Sequence, residues 1–180
     1  WQVSDRLTLR ALASVSDSDE LYAYDEDWVF RGYCDGVRCP PAFEFSSFDA
    51  IARERDVASV DLRALGEAGA WRWVAGVYTQ QRDEDLERRR FGVFRSRYET
   101  QRYAAYGQVT WQPLAALELT AGARLAHFSD DYDDSNGQRL SSFDTFWSGE
   151  LSAAWQVSDA LRLYATLARG AKPGGLNTEA

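Results

Sequence analysis

Apolar residues recur at every second position in seven segments of the chain. In one segment Leu117, Leu119, Ala121, Ala123 and Leu125 follow each other at this spacing. A period of two is typical of a β-strand, because successive side chains point to opposite faces. The pattern therefore predicts seven strands, each with one apolar face, at residues 7–16, 58–64, 71–77, 103–111, 117–125, 147–155 and 161–167.

The opposite face of the same segments is polar and charged. Its residues are Arg10, Asp61, Arg63, Arg72, Gln108, Glu118, Arg124, Glu150 and Arg162. Strands of two architectures show this alternation of apolar and polar residues. One is a soluble antiparallel sandwich, in which the apolar faces pack together, and the other is a membrane β-barrel, in which the apolar face contacts lipid.

The placement of aromatic residues favours the barrel. Tyr103 and Trp111 stand eight residues apart on one apolar face, and Trp147 and Trp155 do the same on another. Eight residues of a strand tilted by about 40° rise roughly 21 Å, close to the ~25 Å apolar band between the aromatic girdles of membrane barrels. We therefore predict membrane-interface positions for these four residues and for Trp71.

The predicted connections differ in length between the two ends of the strands. At one end they are short, with turn-forming residues at 66–69, 112–116 and 157–160. The motif Trp-Gln-Val-Ser-Asp occurs at residues 1–5 and 155–159, beside a looser copy at 111–119, and each copy is predicted to end one strand and start the next. At the other end the predicted loops are long and polar, at residues 17–54, 83–99 and 129–143. Short periplasmic turns and long extracellular loops are typical of outer-membrane barrels.

Composition narrows the class further. The 180 residues carry a net charge of -8, and mean hydropathy is -0.46. No apolar run approaches the ~18 residues of a membrane helix. The acidic balance argues against a nucleic-acid partner.

We predict an all-β, antiparallel up-and-down transmembrane β-barrel segment. Its seven or so strands cannot close alone, and the start at Trp1 without a signal peptide indicates a piece of a longer precursor.

Residues 163–177 read Leu-Tyr-Ala-Thr-Leu-Ala-Arg-Gly-Ala-Lys-Pro-Gly-Gly-Leu-Asn. This stretch resembles a barrel strand of TonB-dependent receptors of the siderophore-receptor type, where Tyr-Ala-Ser-x-Ser/Ala-x-Gly-aromatic-Lys-x-Gly-Gly-aromatic-Asn leads into an extracellular loop. Residues 103–111 and 119–124 are similar to the hairpin before it in that family. Ala171 and Leu176 depart from the family pattern, which often has aromatic residues there. The matching residues are Gly170, Lys172, Pro173, Gly174, Gly175 and Asn177.

The resemblance implies that residues 1–180 are part of the barrel domain of such a receptor, in the C-terminal part of a 22-stranded barrel in the bacterial outer membrane. The plug domain, its TonB-contacting box and the remaining strands are missing from this segment. The expected function is TonB-dependent uptake of a bulky nutrient, with a ferric siderophore as the leading candidate. The expected partners are the TonB complex through the plug, membrane lipid and lipopolysaccharide. A passive pore, a structural barrel and a soluble ligand-binding sandwich are the alternatives.

Few residues indicate other chemistry. Cys34 and Cys39 lie in the longest predicted loop, and two nearby cysteines in an oxidising compartment predict a disulfide. The acidic run at 130–137 lacks the spacing of a calcium loop, so no metal site is predicted. His127 is the single histidine, and no serine is marked as its partner. We therefore expect no catalytic residue, no cofactor and no enzymatic activity.

Overall fold

A computed structural model describes residues 1–25, 48–90, 92–176 and 178, and in this part of the chain all regular structure is β. No helix in it is long and apolar enough to cross a membrane. Eight antiparallel strands form one sheet in chain order, each paired with the next. They are β1 (Gln2–Ser4), β2 (Leu7–Asp25), β3 (Phe48–Ala68), β4 (Trp71–Arg89), β5 (Val93–Leu114), β6 (Leu117–Asp134), β7 (Arg139–Ser158) and β8 (Leu161–Arg169).

The up-and-down order confirms the predicted fold class and adds one strand. The three residues of β1 are too few to show an alternation, so periodicity alone did not reveal this strand. The Trp-Gln repeat indicated it, because each copy was predicted to end one strand and start the next. In the structure β1 turns through residues 5–6 into β2, and Gln2 pairs with Thr8.

The two faces of the sheet have opposite environments. We call the face with the apolar stripes the outer face and the opposite face the inner face. Large apolar side chains of the outer face are open to the surroundings: Leu62 is 47% exposed, Val77 53% and Leu151 59%. On the inner face, side chains of β3 and β4 are mostly half-buried.

No packed apolar core joins a second layer to this sheet in the described residues. Their only buried apolar side chains are Ala104, Ala126 and Tyr132. A sandwich would bury Leu151 and Leu163 in its interior. In this structure Leu151 is 59% exposed and Leu163 is 50% exposed. The described residues therefore show no packed layers of a sandwich, and the outer face has the surface expected of a barrel wall in lipid.

The long polar loops predicted at 17–54, 83–99 and 129–143 were wrong in their extent. β2 continues to Asp25, β4 and β5 are separated only by residues 90–92, and β6 and β7 only by residues 135–138. Paired strands of 18–22 residues greatly exceed the ~9–11 that cross a bilayer. Most of their additional residues are polar, so the regular apolar alternation ends while backbone pairing continues. We call this polar end of the sheet the distal end, and the end with the tight turns the proximal end.

Two turns depend on glycine. Gly69 in the β3–β4 turn has a φ of 58°, and Gly137 in the β6–β7 turn has a φ of 84°. Residues with a Cβ rarely adopt such values. In the β6–β7 turn, Oδ1 of Asp134 accepts hydrogen bonds from the backbone N–H of Asn136 at 2.9 Å and of Gln138 at 3.0 Å. The acidic run at 130–137 is therefore the end of a strand and a tight turn, and not an open loop.

Candidate functional site on the inner face

The distal inner face carries a charged cluster around Glu84 of β4. Its carboxylate accepts from Arg55 of β3 at 2.9 Å and contacts Arg82 of its own strand. Nε of Arg53 lies 3.2 Å from the other oxygen, and Arg53 also reaches Glu20 of β2 at 3.5 Å. Burial raises the pKa of Glu84, but the hydrogen bonds from Arg82 and Arg55 outweigh it, so the pKa lies below its ordinary value.

A second ion pair lies further toward the distal end. The side chain of Asp49 is fully buried, and the guanidinium of Arg88 donates to both of its oxygens at 2.7–3.2 Å. The hydroxyl of Tyr24 also donates to Asp49, at 3.2 Å. The hydrogen bonds from Arg88 hold the pKa of Asp49 below its ordinary value, against the opposing effect of burial. This pair ties β2, β3 and β4 together at the distal end.

An aromatic platform adjoins the charged cluster on β5–β7. The rings of Phe128 and Phe146 stack with centroids 5.2 Å apart. The guanidinium of Arg102 lies over Phe128, 5.3 Å from the ring centroid, and its Nε is buried without a hydrogen-bond partner. Under Phe128 and Phe146 the wall is made of small residues, since Ala104 and Ala126 are buried at directly paired positions. The platform presents a cation and flat rings on one surface.

The segment that contains the family-like motif turns onto this surface. β8 ends at Arg169, and the backbone of Leu176 hydrogen-bonds the hydroxyl of Tyr98 on β5, three strands away. Burial raises the pKa of Tyr98, and its contact with Asp130 raises it further. Gly170, Lys172, Pro173, Gly174 and Gly175 thus lie in the segment that joins the end of β8 to this contact. Asn177 lies outside the described residues, as do Cys34 and Cys39, so their predicted roles stay predictions.

Nearer the proximal end, predicted inner-face charges are paired within the wall. Arg63 donates to Asp61 at 2.9 Å, and Arg72 donates to Glu118 at 2.8 Å. Arg124 lies between two tyrosine rings, 5.8 Å from Tyr78 and 5.9 Å from Tyr106. Carboxylates of the wall neutralise Arg63 and Arg72, which leaves the distal cluster and platform as the richer surface for a ligand. Arg10, Gln108, Glu150 and Arg162 lie on the same face by register.

The predicted interface aromatics all lie on the outer face. Trp71, Tyr103, Trp111, Trp147 and Trp155 are 37–52% exposed. Trp71 of β4 and Trp111 of β5 are directly paired at the proximal end, and their rings stack 5.1 Å apart. Their proposed contact with the membrane interface is taken up below.

Sequence reasoning missed the distal inner-face site, since it assigned most of these residues to loops. A signal was present: Arg53 and Arg55 stand two apart, as do Arg82 and Glu84. Period-two charges of complementary sign in two neighbouring segments indicate paired strands. The described residues contain no group of three or more His, Cys, Asp or Glu arranged to hold a metal ion.

Comparison with known proteins places the chain among outer-membrane receptors. The family model described as TonB dependent receptor-like, beta-barrel matches residues 1–179. The pesticin receptor of Yersinia enterocolitica is 28% identical over 170 residues, which cover 84% of this chain and 25% of that protein. The pesticin receptor of Yersinia pestis has the same identity and coverage. The chain thus spans about a quarter of the length of the curated relatives that it matches.

Solved structures show the same fold. The ferric yersiniabactin uptake receptor FyuA from Yersinia pestis superposes with a TM-score of 0.68 at 20% identity, covering 91% of this chain and 26% of that one. The copper transporter OprC gives a TM-score of 0.70 at 19% identity, with 92% and 28% coverage. At such identities the likeness establishes the architecture alone.

Proposed function

Because the chain belongs to the TonB dependent receptor-like β-barrel family and forms barrel wall in the bacterial outer membrane, we propose that the full-length protein takes up a bulky nutrient across that membrane. Residues 1–180 would be part of the barrel domain, with the plug domain and the remaining strands of a 22-stranded wall elsewhere in the full-length protein. The TonB complex would act through that plug. This assigns the chain to a receptor and not to an enzyme.

We propose a ferric siderophore as the nutrient. The observation that carries this proposal is the platform of Arg102, Phe128 and Phe146 beside the arginines around Glu84. Many iron chelates are anionic and contain flat rings, which suit guanidinium groups and stacked aromatic side chains. The names of the similar receptors, for pesticin and for ferric yersiniabactin, agree with a chelate as cargo.

The outer face supports the membrane part of the proposal. The five aromatic residues predicted for the interface lie on this face, at both ends of the exposed apolar stripe. Trp and Tyr favour the boundary between hydrocarbon and headgroups because each has an apolar body and a polar tip. We propose that they contact lipid at that boundary, and that the distal end meets lipopolysaccharide.

The experiment is a binding and uptake assay of the full-length protein against a panel of ferric siderophores, vitamins and oligosaccharides. At least one ferric chelate should bind, and its uptake should stop when TonB is absent. Arg102→Ala should weaken that binding by about tenfold, which corresponds to ~1.4 kcal/mol. Arg162→Ala, on the inner face of β8 toward the proximal end, serves as the control. Absence of chelate binding, together with free diffusion of small solutes, would favour the passive pore.

A further inference from the structure

One cation in the middle of the inner face has no carboxylate partner. Arg124 of β6 is half-buried, and no carboxylate of the described residues lies within ion-pair distance of its guanidinium. The neighbouring carboxylate of Asp61 is already bonded, to Arg63 at 2.9 Å and to the hydroxyl of Tyr106 at 3.0 and 3.1 Å. Arg63 and Arg72 have carboxylate partners in the wall, whereas the N–H donors of Arg124 remain available to another molecule.

Two tyrosine rings fix the position of this cation. The guanidinium carbon of Arg124 lies 5.8 Å from the ring centroid of Tyr78 on β4 and 5.9 Å from that of Tyr106 on β5. The Tyr106 ring is itself held by the bond from its hydroxyl to Asp61. The hydroxyl of Tyr78 has no hydrogen-bond partner in the described part of the chain. A guanidinium beside a ring keeps its N–H donors at its edge, so the cluster presents a cation, two flat rings and a free hydroxyl.

The same combination of groups forms the distal platform on the same pair of strands. There Arg102 lies over the ring of Phe128, which stacks on Phe146. Arg102 pairs with Phe128 in the sheet, and Tyr106 pairs with Arg124 four residues further along β5. Four residues of a strand span about 13 Å. The inner face therefore carries two surfaces of one kind, a guanidinium against two aromatic rings, at different depths of the wall.

These groups match a flat ring that carries an anionic oxygen. The guanidinium donates charge-assisted hydrogen bonds to a carboxylate or phenolate oxygen, and the tyrosine rings offer flat surfaces for stacking. The hydroxyl of Tyr78 supplies a further donor. We propose that Arg124, Tyr78 and Tyr106 form a second binding site for an anionic aryl group, over which cargo from the platform passes on its way through the lumen. The transit role rests on the proposed uptake function, and the chemistry of the site rests on the contacts alone.

A carboxylate of the proposed plug is the competing partner of Arg124. Such a carboxylate would form an ion pair with the guanidinium and exclude an added ligand. A side-chain carboxylate would use the guanidinium and the hydroxyl only, whereas an aryl anion also uses the two rings. The arrangement therefore favours the aryl anion, and a direct binding measurement separates the two partners.

The test uses purified full-length protein in detergent, titrated with 5-fluorosalicylate and followed by fluorine NMR. The variants are Arg124→Gln, Tyr78→Phe and Arg102→Ala. Arg10→Gln is the matched control, because Arg10 lies on the inner face in the same register row as Arg124 and has no ring contact among the described residues. Fluorobenzene serves as the uncharged probe, and heat-modifiable migration on gels establishes that each variant is folded.

The wild type should bind two molecules of 5-fluorosalicylate, one of which is lost in Arg102→Ala. Arg124→Gln should weaken the other site by about tenfold and Tyr78→Phe by about threefold, because the first removes a charged donor and the second a neutral one. Arg10→Gln should change neither site, and fluorobenzene should bind at neither. A single bound molecule in the wild type, or two sites of unchanged affinity in Arg124→Gln, would overturn the proposal.

Uptake measurements separate this inference from the proposed function. In cells, Arg124→Gln should leave the binding of the ferric chelate at the surface unchanged and slow its uptake. Uptake at the wild-type rate would remove the transit role. Absence of uptake of every chelate, with both probe sites present, would contradict the proposed function and leave the binding site in place. Loss of the second probe site with uptake intact would contradict only the inference.

Discussion

The hydroxyl of Tyr106 on β5 donates to both carboxylate oxygens of Asp61 on β3, at 3.0 and 3.1 Å, and crosses the whole width of β4 to do so. The crossing point is Gly76. A Cβ built on Gly76 would lie 2.6 Å from the Tyr106 hydroxyl and 2.9 Å from the carbonyl oxygen of Leu62. The absence of a side chain at this position therefore allows the inner face to join three strands through one hydrogen-bonded pair.

Gly76→Ala should destabilise the full-length barrel by about 1–3 kcal/mol, because the new methyl group displaces Tyr106 and breaks its hydrogen bond to the carboxylate of Asp61. Urea unfolding in detergent, followed by tryptophan fluorescence, measures the change. Gly107→Ala is the control, since its Cβ would meet nothing nearer than 3.5 Å. An equal effect of the two substitutions would mean that Tyr106 can move at no cost.

The distal outer face carries a row of like charges. Asp56 of β3 pairs directly with Asp17 of β2 and with Asp83 of β4 in the sheet register. The row continues from Asp83 to Glu99 and from Glu99 to Asp131. Directly opposed like charges on a sheet repel each other by about 0.2–1 kcal/mol per pair. Asp56→Asn should therefore stabilise the barrel, and the gain should shrink as salt is raised.

The carboxylates of the inner face should behave in the opposite way. Glu84→Gln removes the partner of Arg55 and Arg82 in a half-buried cluster, so we expect a loss of about 1–3 kcal/mol in the free energy of unfolding. When Glu84→Gln and Asp56→Asn are measured by the same urea unfolding, their changes in the free energy of unfolding should have opposite signs. Stabilisation by Glu84→Gln would show that the arginine cluster does not depend on this carboxylate.

We expect the contribution of Asp49 to the free energy of unfolding to depend on pH. Hydrogen bonds from Arg88 lower its pKa below the ordinary value of 3.8, so the folded protein holds the ionised form more strongly than the unfolded chain does. Its contribution to stability is therefore present above that value and is lost as the pH falls through the lower folded-state pKa. The difference in unfolding free energy between wild type and Asp49→Asn should be largest near about pH 6 and should shrink below about pH 4. A difference that stays constant down to about pH 2 would contradict this assignment.

The stacked pair of Trp71 and Trp111 gives a further test at the proximal end. A double-mutant cycle with Trp71→Ala and Trp111→Ala, measured by folding into lipid vesicles, should give a coupling energy of about 0.5–1.5 kcal/mol. Strictly additive losses would show that each ring interacts with lipid and neither with the other.

The sequence predicted correctly those parts of the strands in which only one of the two faces contacts water. Leu117, Leu119 and Ala121 alternate with polar neighbours because hydrocarbon and aqueous lumen meet opposite faces of one strand, and this contrast sets the period. Beyond the apolar band, residues such as Asp83 and Glu84 lie on opposite faces with water on both sides. Hydropathy then has no period of two along the strand. The sequence therefore predicted a loop where the strand in fact continues.

The distal site could not be predicted for a related reason. Phe128 and Phe146 stack beside the small buried residues Ala104 and Ala126, and the contact between the two rings depends on the register of β6 with β7. That register is fixed by the tight turn at residues 135–138, which the acidic run concealed. Similarly, the contact between Leu176 and Tyr98 joins segments far apart in sequence, and no local pattern specifies it.

The most direct test of the account asks which face of the sheet meets hydrocarbon. A spin label is attached to a cysteine at Leu151 or at its neighbour Glu150 in the full-length protein with Cys34 and Cys39 replaced by Ser, and the protein is reconstituted in lipid. At Leu151 the label should be relaxed by oxygen and protected from a water-soluble nickel chelate, and at Glu150 the preference should reverse. Equal access of the nickel chelate to both labels would contradict the assignment of the outer face to lipid.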